Sequence, residues 1–230
     1  MLAYHMTLDE RGKRILDVAA RLILRYGYDK TTMQDLALEA AVSKSTLYLY
    51  WKNKEELLQA LITRETLRMF DEWLERIQAD PEGGTLFGIY RHGFLTLMVH
   101  PLMMAFYTKE SFVLGDYVRH RGHAVYTRPY LLNRALVQQL QAAGLILRDL
   151  RADVINHLLM IISVGLFSIG ELIPQEYTPP YAEVADALAD MVQRALAPAQ
   201  PGDSEQGKRV FQVYLEQLAL GERSALHLEK

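Results

Sequence analysis

The feature that most constrains this chain is the period of its apolar residues, which recur three and four positions apart through nearly all of its 230 residues. No run of alternating apolar and polar residues bounded by turn signals interrupts them, so the expected fold class is all-α. Ile15, Val18, Ala19, Leu22 and Tyr26 form one stripe of a first helix, from about Asp9 to Tyr26, which Gly27 ends as a left-handed cap. Thr31 and Thr32 cap a second, short helix carrying Met33, Leu36, Ala37 and Ala40 on one face. Ser43 caps a third, Lys44 to about Trp51, with Leu47 and Trp51 turned inward; Lys44, Ser45, Thr46, Tyr48 and Tyr50 remain outside.

A long helix then runs from Lys54 past Trp73 to Ala79, stopped by Pro81, Gly83 and Gly84, and His100-Pro101 makes a second break. Further helices are expected over 85–99, 102–119, 130–143, 153–172, Pro180 to Leu196, and about 205–220; the stretch from Arg119 to Pro129 reads either way. Phe211, Leu215 and Leu218 give the last helix an apolar side that must pack on something. The expected organisation is a head at 1–53, a body at 54–198, and a linker with a C-terminal helix at 199–230.

Half of the residues are hydrophobic, enough for a real core, and the absence of cysteine excludes disulfides, zinc-thiolate sites and a cysteine nucleophile. The start, MLAYHMTLDERGKR, has no apolar segment behind its charges, so a cytoplasmic protein is expected. The apolar run Leu158 to Ile169 is about a dozen residues, interrupted by Ser163 and Gly165, against roughly 20 for a membrane span, and reads as a buried or interface helix. A net charge of −3 offers no global argument for nucleic-acid binding. The local balance differs: residues 40 to 54 carry Lys44, Lys52 and Lys54 and no acid, while residues 1 to 60 hold nine basic and eight acidic side chains, a net of +1.

Two short helices joined by a turn of three or four residues, the second opened by a serine and presenting small polar and basic groups, meet the requirements of a major-groove reader. The run TTMQDLALEAAVSKSTLYLYWKNKEELL resembles the signature of TetR/AcrR-type transcriptional regulators: Thr-Thr before the second helix, Val-Ser in the turn, Thr-Leu-Tyr in the reader, then an aromatic, Lys-x-Lys and Glu-Glu-Leu-Leu. The resemblance covers about residues 10 to 60. It implies that Thr32, Thr46, Tyr48, Tyr50 and Lys54 hold phosphates, that Lys44 and Ser45 lie nearest the base edges, and that Met33 reaches the groove. Two departures stand out. Ala41 occupies a turn position where glycine is usual, so a left-handed backbone there is strained, and Ser45 replaces a frequent glycine.

Beyond about residue 65 the resemblance implies only a helical body that binds an effector and dimerises. The body is rich in large soft side chains, and a cavity lined by Phe94, Met98, Met103, Tyr107, Tyr126 and Met160, with His92, His100 or Asn156 as a polar anchor, suits a small hydrophobic or aromatic effector. His120 and His123, with Glu110 and Asp116 upstream, have metal-like spacing, but spacing alone does not make a site, and no metal or cofactor is expected. No nucleophile elbow, glycine-rich phosphate loop or two-histidine zinc motif supports an enzyme. Helix 153–172 is apolar nearly all round and must be covered on most sides; in the resembled family such helices pair about a two-fold axis. A homodimer through 153–172 and 181–196, bound to double-stranded operator DNA, is therefore expected.

Overall fold

The computed structural model describes the backbone of residues 8–108, 111–115, 117 and 124–227, and their side chains except those of 107, 108, 111, 112, 124–126, 128, 129, 170, 171, 175 and 221–227. The described residues are helical, without strands: α1 (Glu10–Tyr26), α2 (Met33–Glu39), α3 (Lys44–Tyr50), α4 (Lys54–Ala79), α5 (Leu86–Met98), α6 (Pro101–Thr108), α7 (Ser111–Leu114), α8 (Ala124–Ala142), α9 (Ala152–Leu172), α10 (Tyr181–Leu196) and α11 (Ser204–His227). A 3-10 turn, Gln175–Tyr177, lies between α9 and α10.

Local chemistry sets the ends of the first four helices. The side chains of Asp9, Thr32, Ser43 and Asn53 each accept a hydrogen bond from the backbone N–H three residues on, satisfying donors that a helix N-terminus leaves open. Two cores follow. In the first, Ile15, Leu16, Leu36, Leu47 and Trp51 pack with Leu57, Leu58 and Leu61 of α4, and also with Leu102, Val113, Leu114 and Tyr117. The second joins Phe70, Leu74 and Ile77 at the far end of α4 to Ile89, Leu97, Leu140, Ile155, Leu159 and Val192.

The C-terminal helix belongs to that second core. Phe211 and Leu215 are fully buried, and the Phe211 ring lies 4.6 Å from that of Trp73. The Tyr214 hydroxyl donates to Asn133. Ser204 Oγ donates to the Pro81 carbonyl at 2.8 Å and accepts from the Gly84 N–H at 3.1 Å. The backbones meet so closely that a Cβ on Gly207 would lie 1.9 Å from the Gly84 oxygen.

Three expectations need correction. The segment 102–119 is not one helix: α7 ends at Leu114, and Gly115 follows with φ +49°. The helix expected to begin at Tyr130 begins at Ala124 and contains Pro129 in its second turn, where proline gives up the hydrogen bond to the i−4 carbonyl and strains the helix without ending it. Finally, α9 is not covered on most sides within the chain. The window Ala152–Ile169 is, by length and composition, apolar enough to cross a membrane, with a mean hydropathy of 1.8, yet only 28% of it is buried. Val154, Leu158, Ile161, Val164, Ile169 and Leu172 stand exposed along it.

Candidate nucleic-acid interface

The turn between α2 and α3 aims the reader helix. The Val42 N–H donates to the Ala37 carbonyl at 3.0 Å and the Ala41 N–H to that of Leu38 at 3.1 Å, the paired bonds of a helix-ending Schellman turn. That turn requires a left-handed residue, and Ala41 supplies it at φ +51°. Ser43 then opens α3: its Oγ accepts from the Thr46 N–H at 3.0 Å and lies 2.8 Å from Ser45 Oγ and 2.7 Å from Thr46 Oγ1. Leu47, fully buried, and Trp51 fasten the helix to the head core. The opposite side exposes Lys44, Ser45, Tyr48 and Leu49.

The residues expected at DNA take four different positions. Lys44, Ser45 and Tyr48 share the outward side of α3, with Thr46 half-buried beside them. Thr32 is exposed, but its hydroxyl donates to Asp35 Oδ2 at 2.6 Å and accepts from the Asp35 N–H at 3.2 Å, so it is committed to the cap of α2. The Thr32 hydroxyl first, and second the Thr32 N–H, which donates to the same Asp35 oxygen at 3.0 Å, hold the Asp35 carboxyl below its usual range. Met33, expected at the groove, is 9% exposed and packs in the head core as the first residue of α2.

Tyr50 and Lys54 brace the frame. The Tyr50 hydroxyl donates to both Asp9 oxygens, at 2.8 and 2.7 Å, tying α3 to the cap of α1. The Gly12 amide first and Tyr50 second hold the Asp9 carboxyl below its usual range, and Asp9 in turn raises the Tyr50 phenol. Lys54 Nζ donates to the Tyr28 carbonyl at 2.9 Å and lies 4.1 Å from the centre of the Tyr28 ring. Burial lowers its ammonium pKa, partly offset by Asp29. An ammonium has three donors, so one bond to Tyr28 leaves two.

Residues 15–61 match the family described as bacterial regulatory proteins, tetR family. Over those residues the head resembles that of the TetR family. The DNA-binding transcriptional repressor TetR of Mycobacteroides abscessus is 36% identical over 64 residues, 28% of this chain and 34% of that protein. The chain spans only 29–38% of the length of the curated relatives it matches first, so their likeness concerns the head. Over most of the chain the resemblance is structural. The fatty acid degradation regulator FadR of Bacillus halodurans aligns over 81% of this chain and 96% of its own at 13% identity, with a TM-score of 0.62. AibR, solved with isovaleryl coenzyme A and operator DNA, aligns over 79% and 97% at 24% identity, with a TM-score of 0.55. At those identities what is shared is the fold, a TetR-type head continuing into an all-helical body. The family is one of DNA-binding regulators rather than enzymes.

The TetR-type head is joined to the body beyond α4. The Tyr28 N–H donates to the Val113 carbonyl at 2.9 Å, the Tyr28 and Tyr117 rings meet edge to face at 5.9 Å, and the Tyr117 hydroxyl donates to Gln59 Oε1 at 2.5 Å. Gly115 sits so close that a Cβ there would lie 2.3 Å from Asp29 Oδ2.

In the body, the expected effector residues are dispersed. Met103 lies in the main core and accepts a hydrogen bond at sulfur from Thr66, whereas Phe94 belongs to a separate cluster with Leu166 and Ala185. Asn156 is buried with Nδ2 donating to the Tyr130 carbonyl at 3.1 Å. Met98 and Met160 are at the surface, a correction to their placement in a cavity: each sits on the solvent side of its helix. The side chains of Tyr107 and Tyr126, and His120, His123, Glu110 and Asp116, lie outside the described residues.

Sequence reading missed an aromatic group between α5, α9 and α10. Phe94 lies 6.1 Å from Tyr90 and 6.3 Å from Phe167, and Phe167 stacks on Tyr181 at 6.0 Å. Burial pushes both phenols well above their ordinary range, and the Tyr181 hydroxyl has no hydrogen-bond partner among the described residues. An open groove of about 440 Å³ runs elsewhere, between α8 and α11, beside Gln139, Ala142, Arg209 and Val213.

Proposed function

We propose that this chain is a ligand-responsive transcriptional repressor, which binds a palindromic operator as a homodimer and is released by a small hydrophobic effector. The observation that carries this reading is the division of α3, with Leu47 and Trp51 locked in the head core and Lys44, Ser45 and Tyr48 exposed on the other side. In this reading residues 1–53 engage the duplex, Lys44 and Ser45 at base edges and Thr46, Tyr48 and Lys54 at phosphates. Tyr50 positions the reader through Asp9, and Thr32 does so through the cap of α2.

Residues 54–198 bind the effector and dimerise, and α11 completes the body's core through Phe211, Tyr214, Leu215 and Leu218. The exposed α9 stripe, continued by Met191 of α10, supports self-association, because an apolar face of that length is stable only when covered. Two-fold symmetry would set the readers into successive major grooves about 34–36 Å apart. The aromatic group with the lone Tyr181 hydroxyl supports an apolar effector with one polar atom. Its occupancy would favour a body conformation in which α7 pulls on Tyr28 and misaligns the readers. Coupling of about 1–3 kcal/mol, roughly 5- to 150-fold in operator affinity, is ordinary for such linkage.

The test is selection of bound fragments from random DNA with the purified protein, freed of copurified ligand. The expected result is an inverted repeat whose binding is weakened by Tyr48→Ala. A folded protein that enriches no sequence at moderate salt refutes the proposal, and a rise in transcription on adding the protein to its target refutes the repressor sign.

A further inference from the structure

Leu49 is 85% exposed on α3, among the most exposed large apolar side chains of the chain, and it stands alone in a polar setting. Ser45, one turn before it, and Tyr48 beside it are exposed, with Lys44 exposed further round the same helix. At 100° per residue Leu49 lies about 160° around the helix from Leu47, the residue that points straight into the core. Ser45 and Leu49, one turn apart, are therefore the two most outward positions of the reader. Ser45 is too small to shield its neighbour. Scattered exposed leucines are common, so the argument rests on this one's place beside Ser45, at the outermost edge of the side that Lys44, Ser45 and Tyr48 share.

We infer that Leu49 reads a thymine. The assignment rests on the DNA-binding reading above. Among the edges that base pairs display in the major groove, the donors and acceptors match Lys44 and Ser45, and the apolar feature is the thymine 5-methyl group. A leucine at the outermost point of the helix has nothing to offer a hydrogen-bonding edge, and it desolvates guanine, adenine or cytosine groups without replacing their bonds. Against a thymine methyl it removes apolar surface from water on both partners. Leu49 thus sets specificity where Lys44 and the phosphate contacts set register and affinity.

The test uses the selected operator duplex with each thymine replaced in turn by deoxyuridine, which deletes only the methyl group. With the wild-type protein at fixed salt, one thymine per half-site is expected to show an affinity loss of about fourfold on replacement, the scale of one buried methyl. In Leu49→Ala the loss at that position disappears, while losses from other base changes persist and the thermal unfolding of the protein is unchanged. A selected operator with no thymine, one whose every methyl is dispensable, or a methyl effect that Leu49→Ala leaves intact overturns the assignment while the regulator reading stands. A protein that selects no operator overturns both.

Discussion

Both α3 and α9 hold apolar side chains out to solvent, but in opposite settings. On α3 a single leucine projects from a face of lysine, serine and tyrosine. On α9, Val154, Leu158, Ile161, Ile169 and Leu172 follow one another along the helix, with Gly165 open in their midst. One apolar tip in a wet, charged frame suits a partner that is itself mostly polar, such as a nucleic-acid groove. A continuous stripe suits a partner that is dry along its whole length, and an identical helix is the simplest such surface. Exposure alone therefore does not classify a residue; the neighbours that share its face do.

The largest expected effect breaks the α9 half of that contrast. Leu158→Glu combined with Ile161→Glu should give a folded monomer by sedimentation, since neither side chain belongs to the chain's own cores, and operator affinity should fall towards the non-specific level, on the order of a thousandfold. A persistent dimer would remove α9 from the interface.

The contrast between exposed and buried apolar residues is next. Phe211→Ala should destabilise the chain by about 3–5 kcal/mol in denaturant unfolding, while Leu49→Ala changes stability by less than about 0.5 kcal/mol. Similar losses in the two variants would mean that Leu49 is not solvent-facing.

Smaller effects sharpen the description of the head. Ala41→Gly should relieve the left-handed backbone and stabilise by about 1 kcal/mol, raising the melting temperature by roughly 2–4 °C for a chain of this size. Smallest of all is the pH response of the α1 cap. The Asp9 carboxyl is held below its ordinary 3.8, first by the Gly12 amide and then by Tyr50, so its stabilisation is complete above that pH and fades as pH falls through the lowered value. Wild type and Asp9→Asn should melt apart at neutral pH and converge below 3.8.

The head was legible because its signals are local. Thr32 and Ser43 announce the starts of α2 and α3 by their own hydroxyls, and Ala41 occupies a turn whose geometry the sequence already made conspicuous. What escaped depends on residues far apart in the chain. Nothing near Tyr50 or Lys54 indicates that one is braced by Asp9 and the other by Tyr28. Leu49 carries no hydrogen-bonding group, the mark by which a sequence announces a groove-facing side chain. In the body, continuous apolar periodicity hid the end of α7 before Gly115, and large side chains read as a pocket are divided among separate clusters. Periodicity reports which face is apolar; it does not say which other element covers it.

The seam around Tyr28 has a consequence for anyone wishing to exchange reading heads between regulators. The head core takes Leu57, Leu58 and Leu61 from α4 and Val113, Leu114 and Tyr117 from beyond it, and Gly115 leaves no room for a side chain next to Asp29. A transplant cut at residue 53 would detach the reader from half of its floor. A working chimaera would have to carry the first turns of α4 with the head and match the donor's α7 segment to the incoming Tyr28 loop, so the transferable unit is defined by the seam and is discontinuous in the chain.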